Sequence, residues 1–529
     1  MRDLHKPGRS AARSANAMAS TSQPSSTLAA IEILQAGGNA LDAAIAACAV
    51  QCVTEPGSTG IGGDCFCLYQ PADSAEPIAF NGSGRAPAKA EFGFFRDAGM
   101  TALDPTSPHV VTVPGAIDAW DKLSEDHGKL GLDRLLQPAI RYAEDGFAVH
   151  ERTANDFAGA HGKLAKDEGA RATYFNGDGE LPKAGEVLRQ QALAETLKTV
   201  AKKGRDAFYY GEIAQDIVET LKSKGGLHEL DDFAEARGEY VDPIHTTYRG
   251  YDIYECPPNG VGPIALLMLN MLEAMPVADD PMDHDRMHRL IEATRLAYRD
   301  RNAFISDPKF SNIPLDVLLS KEYAKELVAG IDPLKAATDL PPAGLPRHDD
   351  TVYIAVVDED GNACSFINSL FKSFGSGIVA EKSGVVLQNR GFGFVLEDGH
   401  PNRIEPKKRP LHTIIPGMAA KDGKPAMPFG VMGGHFQPVG HAWTLSSMFD
   451  HDLDPQEAMD LPRLFAYEGE VEIERGIDEV AAEVLRGRGH KVRRIDGPHG
   501  GGQVIRIDHD TGTLVGGSDP RKDGIALGY

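Results

Sequence analysis

Apolar residues recur at helical spacing through much of the first 330 residues. We predict helices over residues 25–35, 40–53, 116–125, 131–145, 191–202, 213–224 and 284–302. Gly37 and Gly38 form a helix-stop signal, and Asn39 can cap the alanine-rich helix that follows. A strand-like run is found at residues 65–69. This part of the chain is therefore expected to be mainly helical, with few strands.

The pattern changes at residue 351, where β-branched and aromatic residues predict a strand over 351–357 and a return strand over 363–369. Between them lies a turn in which Gly361 suits a left-handed position. If the turn centres on Asp360, Thr351 faces Ser369, since the two are equally distant from it along the chain. Their Cβ atoms would then lie about 4.5–5.5 Å apart, close enough for a hydroxyl–hydroxyl hydrogen bond. A slip of one residue would remove this pairing.

A proline-rich segment separates the two patterns. Residues 339–346 read Asp-Leu-Pro-Pro-Ala-Gly-Leu-Pro, which cannot form a helix interior or a central strand. We therefore expect an exposed, flexible linker over about 332–350, ending at Asp350.

Composition and charge exclude several classes of partner. The 42% apolar and 25% charged residues are typical of a globular protein. The net charge of −23 would repel phosphate backbones and anionic lipids, so we expect no nucleic-acid and no membrane partner. No apolar stretch follows the basic N-terminal residues, and the most apolar segment, 41–53, is too short to span a bilayer. The six cysteines lack metal-ligand spacing, so we expect buried thiols and a cytoplasmic protein.

Thr351 stands where an autoprocessing nucleophile would have to lie, at the end of a linker and the start of a strand. A threonine hydroxyl needs an adjacent base. An α-amino group, with a pKa of about 8, would supply that base once the bond between Asp350 and Thr351 is cut. The hydroxyl can first attack the Asp350 carbonyl carbon and form an ester that water resolves. From the spacing alone, a threonine that opens a strand because β-branched residues favour strands is the simpler interpretation.

Two other patterns suggest different chemistry. The glycine-rich residues 57–63 look like a phosphate cradle, but a strand follows rather than a helix, so we expect close backbone packing near the site. His284 and His288 have the i, i+4 spacing of a zinc helix, although Asp285 replaces the glutamate of the metalloprotease pattern. With no third ligand evident, we predict no metal and no cofactor, and keep a zinc hydrolase as an alternative.

A series of short motifs extends from about residue 18 to residue 529. They are residues 36–44, 55–63, 113–115, 248–250, 374–377, 409–411, 433–434 and 518–521. In this order they resemble the γ-glutamyltransferase family of N-terminal nucleophile hydrolases. The resemblance implies an α+β fold, a four-layer αββα sandwich built by a single proenzyme that is cleaved into two subunits. Residues 1–350 would form the large subunit and 351–529 the small one, intertwined as one domain. The enzyme would be a heterodimer of these fragments, and a further pairing of heterodimers is left open.

The resemblance also assigns catalytic roles. It implies that Thr351 is the nucleophile and that Ser369 supports it. The backbone N–H groups at Gly433 and Gly434 would hold the oxyanion. Glycine suits this task because the substrate must approach the backbone closely, and losing one such donor costs about 10²–10³ in rate.

The expected substrate pocket departs from the family pattern. Family members that bind a γ-glutamyl group hold its α-amine with Asn, Gln and Asp side chains. Phe371, Arg390 and Gly393 occupy the matching positions. A guanidinium would repel an ammonium group and favour an anion. Alternatively, Arg390 points to solvent or to a structural carboxylate.

Other positions of the pocket also differ. The arginine that grips the α-carboxylate in the family falls near Ser83, which leaves Arg85 as the nearby candidate. His412 and Thr413 replace a pair of serines, and the short segment after Gly393 implies a reduced lid over the pocket.

Residues 81–87 and 368–371 resemble family members that include oxamate amidohydrolase. Oxamate is a small amide with a carboxylate and no amine, which fits the loss of the amine clamp. We therefore expect an amidohydrolase acting on a small amide, with an anionic amide such as oxamate as the candidate. A γ-glutamyl hydrolase or transferase with a rebuilt pocket and a catalytically silent homologue are the alternatives.

Overall fold

The computed structural model describes residues 8–338 and 351–529; residues 339–350 of the predicted linker, which include Asp350, lie outside this description. The strands of the described residues are, in chain order, β1 (Ala12–Ser14), β2 (Met18–Thr21), β3 (Asp64–Gln70), β4 (Ile78–Gly82), β5 (Phe147–Ala148), β6 (Val187–Leu188), β7 (Glu239–Val241), β8 (Ile244–Tyr248), β9 (Tyr251–Glu255), β10 (Val352–Val357), β11 (Ala363–Ser369), β12 (Val379–Ala380), β13 (Val385–Val386), β14 (Gly417–Lys421), β15 (Lys424–Met432), β16 (Leu464–Tyr467), β17 (Glu470–Ile473), β18 (Val492–Arg494), β19 (Gly501–Asp508), β20 (Thr513–Ser518) and β21 (Ile525–Gly528).

The helices of the described residues are α1 (Pro24–Gln35), α2 (Ala40–Thr54), α3 (Phe92–Asp97), α4 (Ala116–His127), α5 (Leu132–Leu135), α6 (Gln137–Asp145), α7 (Glu151–Leu164), α8 (Glu168–Tyr174), α9 (Gln191–Lys203), α10 (Arg205–Tyr209), α11 (Glu212–Ser223), α12 (Leu230–Ala234), α13 (Gly262–Glu273), α14 (His284–Phe304), α15 (Leu315–Leu318), α16 (Lys321–Ala329), α17 (Gln437–His451), α18 (Pro455–Asp460) and α19 (Glu479–Gly487). Short 3-10 helices occur at Pro108–Val110, Arg390–Gly393 and Gly434–Phe436.

Two seven-stranded sheets form the centre of the molecule. Sheet A has the order β1-β20-β19-β15-β14-β9-β8, and sheet B has the order β21-β2-β10-β11-β3-β4-β7. Sheet B therefore combines strands from before Thr351 (β2, β3, β4 and β7) with strands from after it (β10, β11 and β21), and β10 and β11 lie near its centre. Neither part of the chain could complete this sheet without the other.

The alternation of side chains along β10 shows how the layers pack. Ile354 and Val356 join a core cluster that contains the apolar faces of α1, α2 and α4. Tyr353 and Ala355, on the opposite face, join a cluster between the two sheets. A third cluster packs α13, α14 and α17 against the outer face of sheet A. The result is the predicted four-layer αββα sandwich.

Most predicted helices begin and end within two residues of the observed ones. Asn39 caps α2 as predicted, since its side chain accepts a hydrogen bond from the Asp42 N–H. The prediction of a single helix over 131–145 was wrong, because this segment forms two helices, α5 and α6. Pro138 lies in the first turn of α6, where its missing N–H costs nothing; inside a longer helix it would break a hydrogen bond.

The sequence pattern missed the hairpin of β8 and β9. These short strands continue sheet A to its edge, and β9 pairs with β14. Arg249 and Gly250 turn the chain with positive φ angles of 49° and 82°. No described helix is both long enough and apolar enough to cross a membrane.

Candidate active site

Thr351 and Ser369 lie side by side at the end of the central hairpin of sheet B. β10 and β11 pair antiparallel with Val352 opposite Asn368, which confirms the predicted register. Gly361 has a φ of 81°, the left-handed conformation expected for the turn. The two hydroxyl oxygens, Thr351 Oγ1 and Ser369 Oγ, are 3.1 Å apart. Both side chains are fully buried, so bulk water does not compete for this hydrogen bond.

Ser369 Oγ also receives two N–H groups. The backbone N–H of Phe371 donates to it at 2.9 Å, and Arg390 Nη2 donates at 3.0 Å. A hydroxyl oxygen has two lone pairs and one hydrogen. Ser369 Oγ therefore links Thr351 Oγ1 to a backbone N–H and to a guanidinium.

Arg390 is the most unusual charge in this region. Its guanidinium is fully buried, and Nη1 donates to Thr413 Oγ1 at 2.9 Å. Its Cζ atom lies 4.1 Å from the centroid of the Phe371 ring. Among the described residues no carboxylate lies within ion-pair distance of it, and Nε has no hydrogen-bond partner. Burial lowers the pKa of Arg390 to about 9, so the side chain is still a cation at neutral pH.

Phe371 has a backbone φ of 82°, a conformation that non-glycine residues rarely adopt. This turn directs its N–H to Ser369 Oγ and places its ring against Arg390. The strained turn therefore fixes the position of both the hydroxyl and the cation.

Asp64 is a site residue that the sequence analysis missed. It begins β3 opposite Ser369 in the sheet register, so three neighbouring strands bring Thr351, Ser369 and Asp64 together. Its carboxylate accepts hydrogen bonds from Gly84 N at 2.9 Å, from Gln388 Nε2 at 2.8 Å and from His412 Nε2 at 3.0 Å. The signal that could have revealed it is a single acid at the junction of a glycine run and an apolar strand.

His412 and Thr413, which are neighbours in sequence, contact different charged groups of the site. Burial, and then the charge of Arg390, lower the pKa of His412 to about 3, so its ring is neutral. The neutral ring donates Nε2–H to Asp64, while Nδ1 lies 3.4 Å from the N–H of Ile414. Thr413 instead contacts Arg390. The structure thus places His412 behind the site, as a support for the carboxylate.

Gly433 and Gly434 form the turn that links β15 to α17. Their φ angles are 119° and 55°, both positive. A Cβ atom on Gly433 would lie only 2.9 Å from the Cα of Gly500, so a side chain cannot be accommodated. The turn leaves the Gly434 N–H at the start of a helical segment, which favours negative charge nearby.

Two side chains of α14 contact His435, the residue that follows this turn. Arg301 Nη1 lies 3.0 Å from His435 Nδ1, and the Tyr298 hydroxyl donates to the His435 carbonyl oxygen. Since a guanidinium only donates, the ring proton of His435 is on Nε2. The His435 ring contacts the Phe371 ring edge-on, with 6.4 Å between the ring centroids. This contact connects the glycine turn to the part of the site that contains Arg390.

The glycine-rich residues 57–63 pack against the same site. A Cβ atom on Gly63 would lie 2.3 Å from the Ser369 carbonyl oxygen, and one on Gly62 would lie 2.2 Å from that of Val386. This confirms close backbone packing as the reason for these glycines.

Arg85 lies in a separate ion-pair cluster. Its guanidinium is 3.2 Å from Asp307 and 3.4 Å from Glu239, and Arg409 pairs with Glu239 beside it. Its role in substrate binding stays a prediction.

His288, the buried member of the predicted zinc pair, uses both ring nitrogens elsewhere. Nδ1 lies 2.7 Å from His490 Nε2, and Nε2 lies 2.8 Å from the Asp332 carbonyl oxygen. His284 is partly exposed and lies beside Asp285. His288 therefore helps to anchor the first residues of the predicted linker.

Comparisons with known proteins agree with this architecture. The gamma-glutamyltranspeptidase family profile matches residues 26–529. The chain is 38% identical to the glutathione hydrolase-like YwrD proenzyme of Bacillus subtilis, covering 94% of this chain and 95% of that protein. It is 32% identical to the oxamate amidohydrolase proenzyme of Klebsiella pneumoniae, covering 94% and 96%. The crystal structure of cephalosporin acylase from Bacillus halodurans superimposes with a TM-score of 0.93 at 38% identity, covering 100% of this chain and 98% of that one. The chain therefore belongs to the gamma-glutamyltranspeptidase family of enzymes.

Proposed function

We propose that this protein is a proenzyme that cuts itself between Asp350 and Thr351 and then hydrolyses a small amide that carries a carboxylate, such as oxamate. The observation that carries the proposal is the buried cation Arg390, bonded to Ser369 beside the candidate nucleophile. Cleavage would give a large subunit of residues 1–350 and a small subunit of 351–529.

Self-cleavage needs only groups of the chain and one water molecule. Thr351 Oγ1 loses its proton and attacks the Asp350 carbonyl carbon, and the C–N bond breaks as that proton passes to the leaving nitrogen. Water then hydrolyses the resulting ester and releases the Asp350 carboxylate and the Thr351 α-amine. This amine is the base that the threonine hydroxyl requires.

Substrate hydrolysis repeats the chemistry with an external amide. The α-amine takes the proton of Thr351 Oγ1, which attacks the amide carbon, and that proton passes to the leaving nitrogen. The N–H groups at Gly433 and Gly434 stabilise the oxyanion, while Ser369 orients the nucleophile. Water hydrolyses the acyl ester and regenerates the hydroxyl.

Charge distinguishes this substrate from a γ-glutamyl group. A buried guanidinium is costly unless an anion compensates it. Among the described residues Arg390 has no carboxylate in direct contact, so a substrate carboxylate is the natural complement. The ammonium group of a γ-glutamyl substrate would be repelled by it.

A denaturing gel and two substrates test the proposal. We expect two fragments that meet at Asp350/Thr351, and a single intact chain without activity for Thr351→Ala. Thr511→Ala, at an exposed turn, is the matched control and should be cleaved and active. The cleaved enzyme should release ammonia from oxamate faster than it releases the chromophore of a γ-glutamyl anilide.

Each contrary outcome has a distinct meaning. Faster turnover of the anilide would support a γ-glutamyl hydrolase or transferase. An intact wild-type chain without activity would support a catalytically silent homologue. Activity that is removed by a chelator and survives in Thr351→Ala would support a zinc hydrolase.

A further inference from the structure

The cation and the candidate nucleophile share one neighbour. Ser369 Oγ lies 3.0 Å from Arg390 Nη2 and 3.1 Å from Thr351 Oγ1. Because the two hydrogen bonds meet at this oxygen, Nη2 is no more than about 6 Å from Thr351 Oγ1. That distance sets how far an anion bound to Arg390 can be from the carbon under attack.

Arg390 keeps N–H groups for a ligand. A guanidinium has five N–H donors, and the described partners, Ser369 and Thr413, use one on each terminal nitrogen. Nε is buried without a partner among the described residues. Nε–H and one N–H of Nη2 lie on the same edge of the planar guanidinium, and such an edge can bind a carboxylate through two parallel hydrogen bonds. A carboxylate on this edge lies beside Ser369.

The position of the cation is fixed. Phe371 covers one face of the guanidinium, and Thr413 holds Nη1. The side chain is fully buried, so it cannot swing aside to receive a more distant anion.

From this geometry we propose that Arg390 acts as a length gauge, selecting amides whose carboxylate is attached directly to the scissile carbonyl or through a single carbon. The attacked carbon lies about 3–3.5 Å from the nucleophile in a productive complex. Each C–C bond adds about 1.5 Å. Since the carboxylate and Thr351 Oγ1 are both neighbours of Ser369 Oγ, little chain fits between them, and longer chains must fold back against buried side chains. This inference rests on the proposed function and narrows its substrate class.

A homologous series of amides measures the gauge directly. Oxamate, malonamate, succinamate and glutaramate differ only by one methylene at each step, and ammonia release gives kcat/KM for each. We expect kcat/KM for the first two amides to exceed that for succinamate by about 10-fold and that for glutaramate by about 100-fold. The reason is that a reacting group misplaced by 1 Å costs up to about 10² in rate. Inhibition by oxalate, malonate, succinate and glutarate should follow the same order.

Variants assign the gauge to Arg390. Arg390→Gln should reduce the differences in kcat/KM among the four amides. It should also raise the ratio of activity on neutral oxamide to that on oxamate. Arg286→Lys is the matched control, because Arg286 is also buried but lies over Trp443. It should keep the wild-type order of substrates. If Arg390→Gln fails to cleave itself, the wild-type inhibitor series still decides the question.

The outcomes separate this inference from the proposed function. Thr351-dependent hydrolysis that is fastest for glutaramate, or equal along the series, would overturn the gauge and leave the amidohydrolase intact. An unchanged order in a cleaved Arg390→Gln enzyme would also overturn it. No Thr351-dependent hydrolysis of any amide would remove both.

Discussion

Arg390 Nη2 donates a 3.0 Å hydrogen bond to Ser369 Oγ, which connects a buried positive charge to the candidate nucleophile through a single hydroxyl. A hydrogen bond from a charged donor is stronger than one from a neutral donor, so it holds Ser369 Oγ firmly beside Thr351 Oγ1. The same contact places an anion-binding group beside the reacting atoms. One arginine can therefore influence both the nucleophile and the choice of substrate.

Ser369→Ala should slow both self-cleavage and amide hydrolysis. A hydrogen bond involving a charged group is worth about 1.5–3 kcal/mol, so kcat should fall about 10- to 100-fold. The rate of fragment formation on a gel and the rate of ammonia release measure the two effects. Ser365→Ala is the matched control on β11, since Ser365 bonds the Tyr353 hydroxyl at 2.8 Å. An equal loss of activity in both variants would contradict the role of Ser369.

Asp64→Asn should destabilise the fold and impair activity. The amide keeps the shape but removes a charge that accepts three hydrogen bonds in a buried site, at a cost of about 3 kcal/mol. Urea unfolding measures the stability, and ammonia release measures activity at a temperature where both proteins are folded. Asp216→Asn serves as the control, because this buried carboxylate bonds Ser383 elsewhere in the molecule. It should lose stability and keep full activity when folded.

Acid should destabilise the protein through His412. Its pKa is about 3 in the folded state, against about 6.5 in an unfolded chain. Between these pH values the unfolded state binds one more proton than the folded state. The stability contributed by neutral His412 is therefore complete above about pH 6.5 and is lost as the pH falls towards 3. His412→Gln should reduce the slope of the unfolding free energy by about 1.4 kcal/mol per pH unit between pH 4 and 6. His228→Gln should act similarly at lower amplitude, because the pKa of His228 is about 4. Unchanged slopes in urea titrations would contradict this assignment.

Gly433→Ala should abolish most of the activity. Its φ of 119° and the 2.9 Å approach of the new Cβ to Gly500 would move the turn and its N–H groups, for a loss of about 10²–10³ in kcat. Gly469→Ala is the control for backbone strain, since Gly469 has a φ of 82° and open space around it. Both variants should lose stability, and only Gly433→Ala should lose turnover. Comparable kcat values for Gly433→Ala and Gly469→Ala would show that the Gly433–Gly434 turn is not part of the site.

Local chemistry explains what could be predicted. The turn at Gly361 and the two-residue period of its flanking strands set the register, and that register pairs Thr351 with Ser369. The Asn39 cap follows from side-chain chemistry within a few residues. The short motifs then indicated the family and its layered fold, although no single spacing could do so.

The charges around the hydroxyl pair could not be predicted in the same way. Asp64 reaches His412, and Arg390 reaches Ser369, only because sheet B and its loops bring distant segments together. The sequence by itself determined the hairpin and its two hydroxyls, since turn geometry and strand period act over a few residues. The tertiary structure alone decided that Arg390 is buried with no described carboxylate in direct contact and that His412 is neutral, because burial and charge compensation depend on what packs around a group.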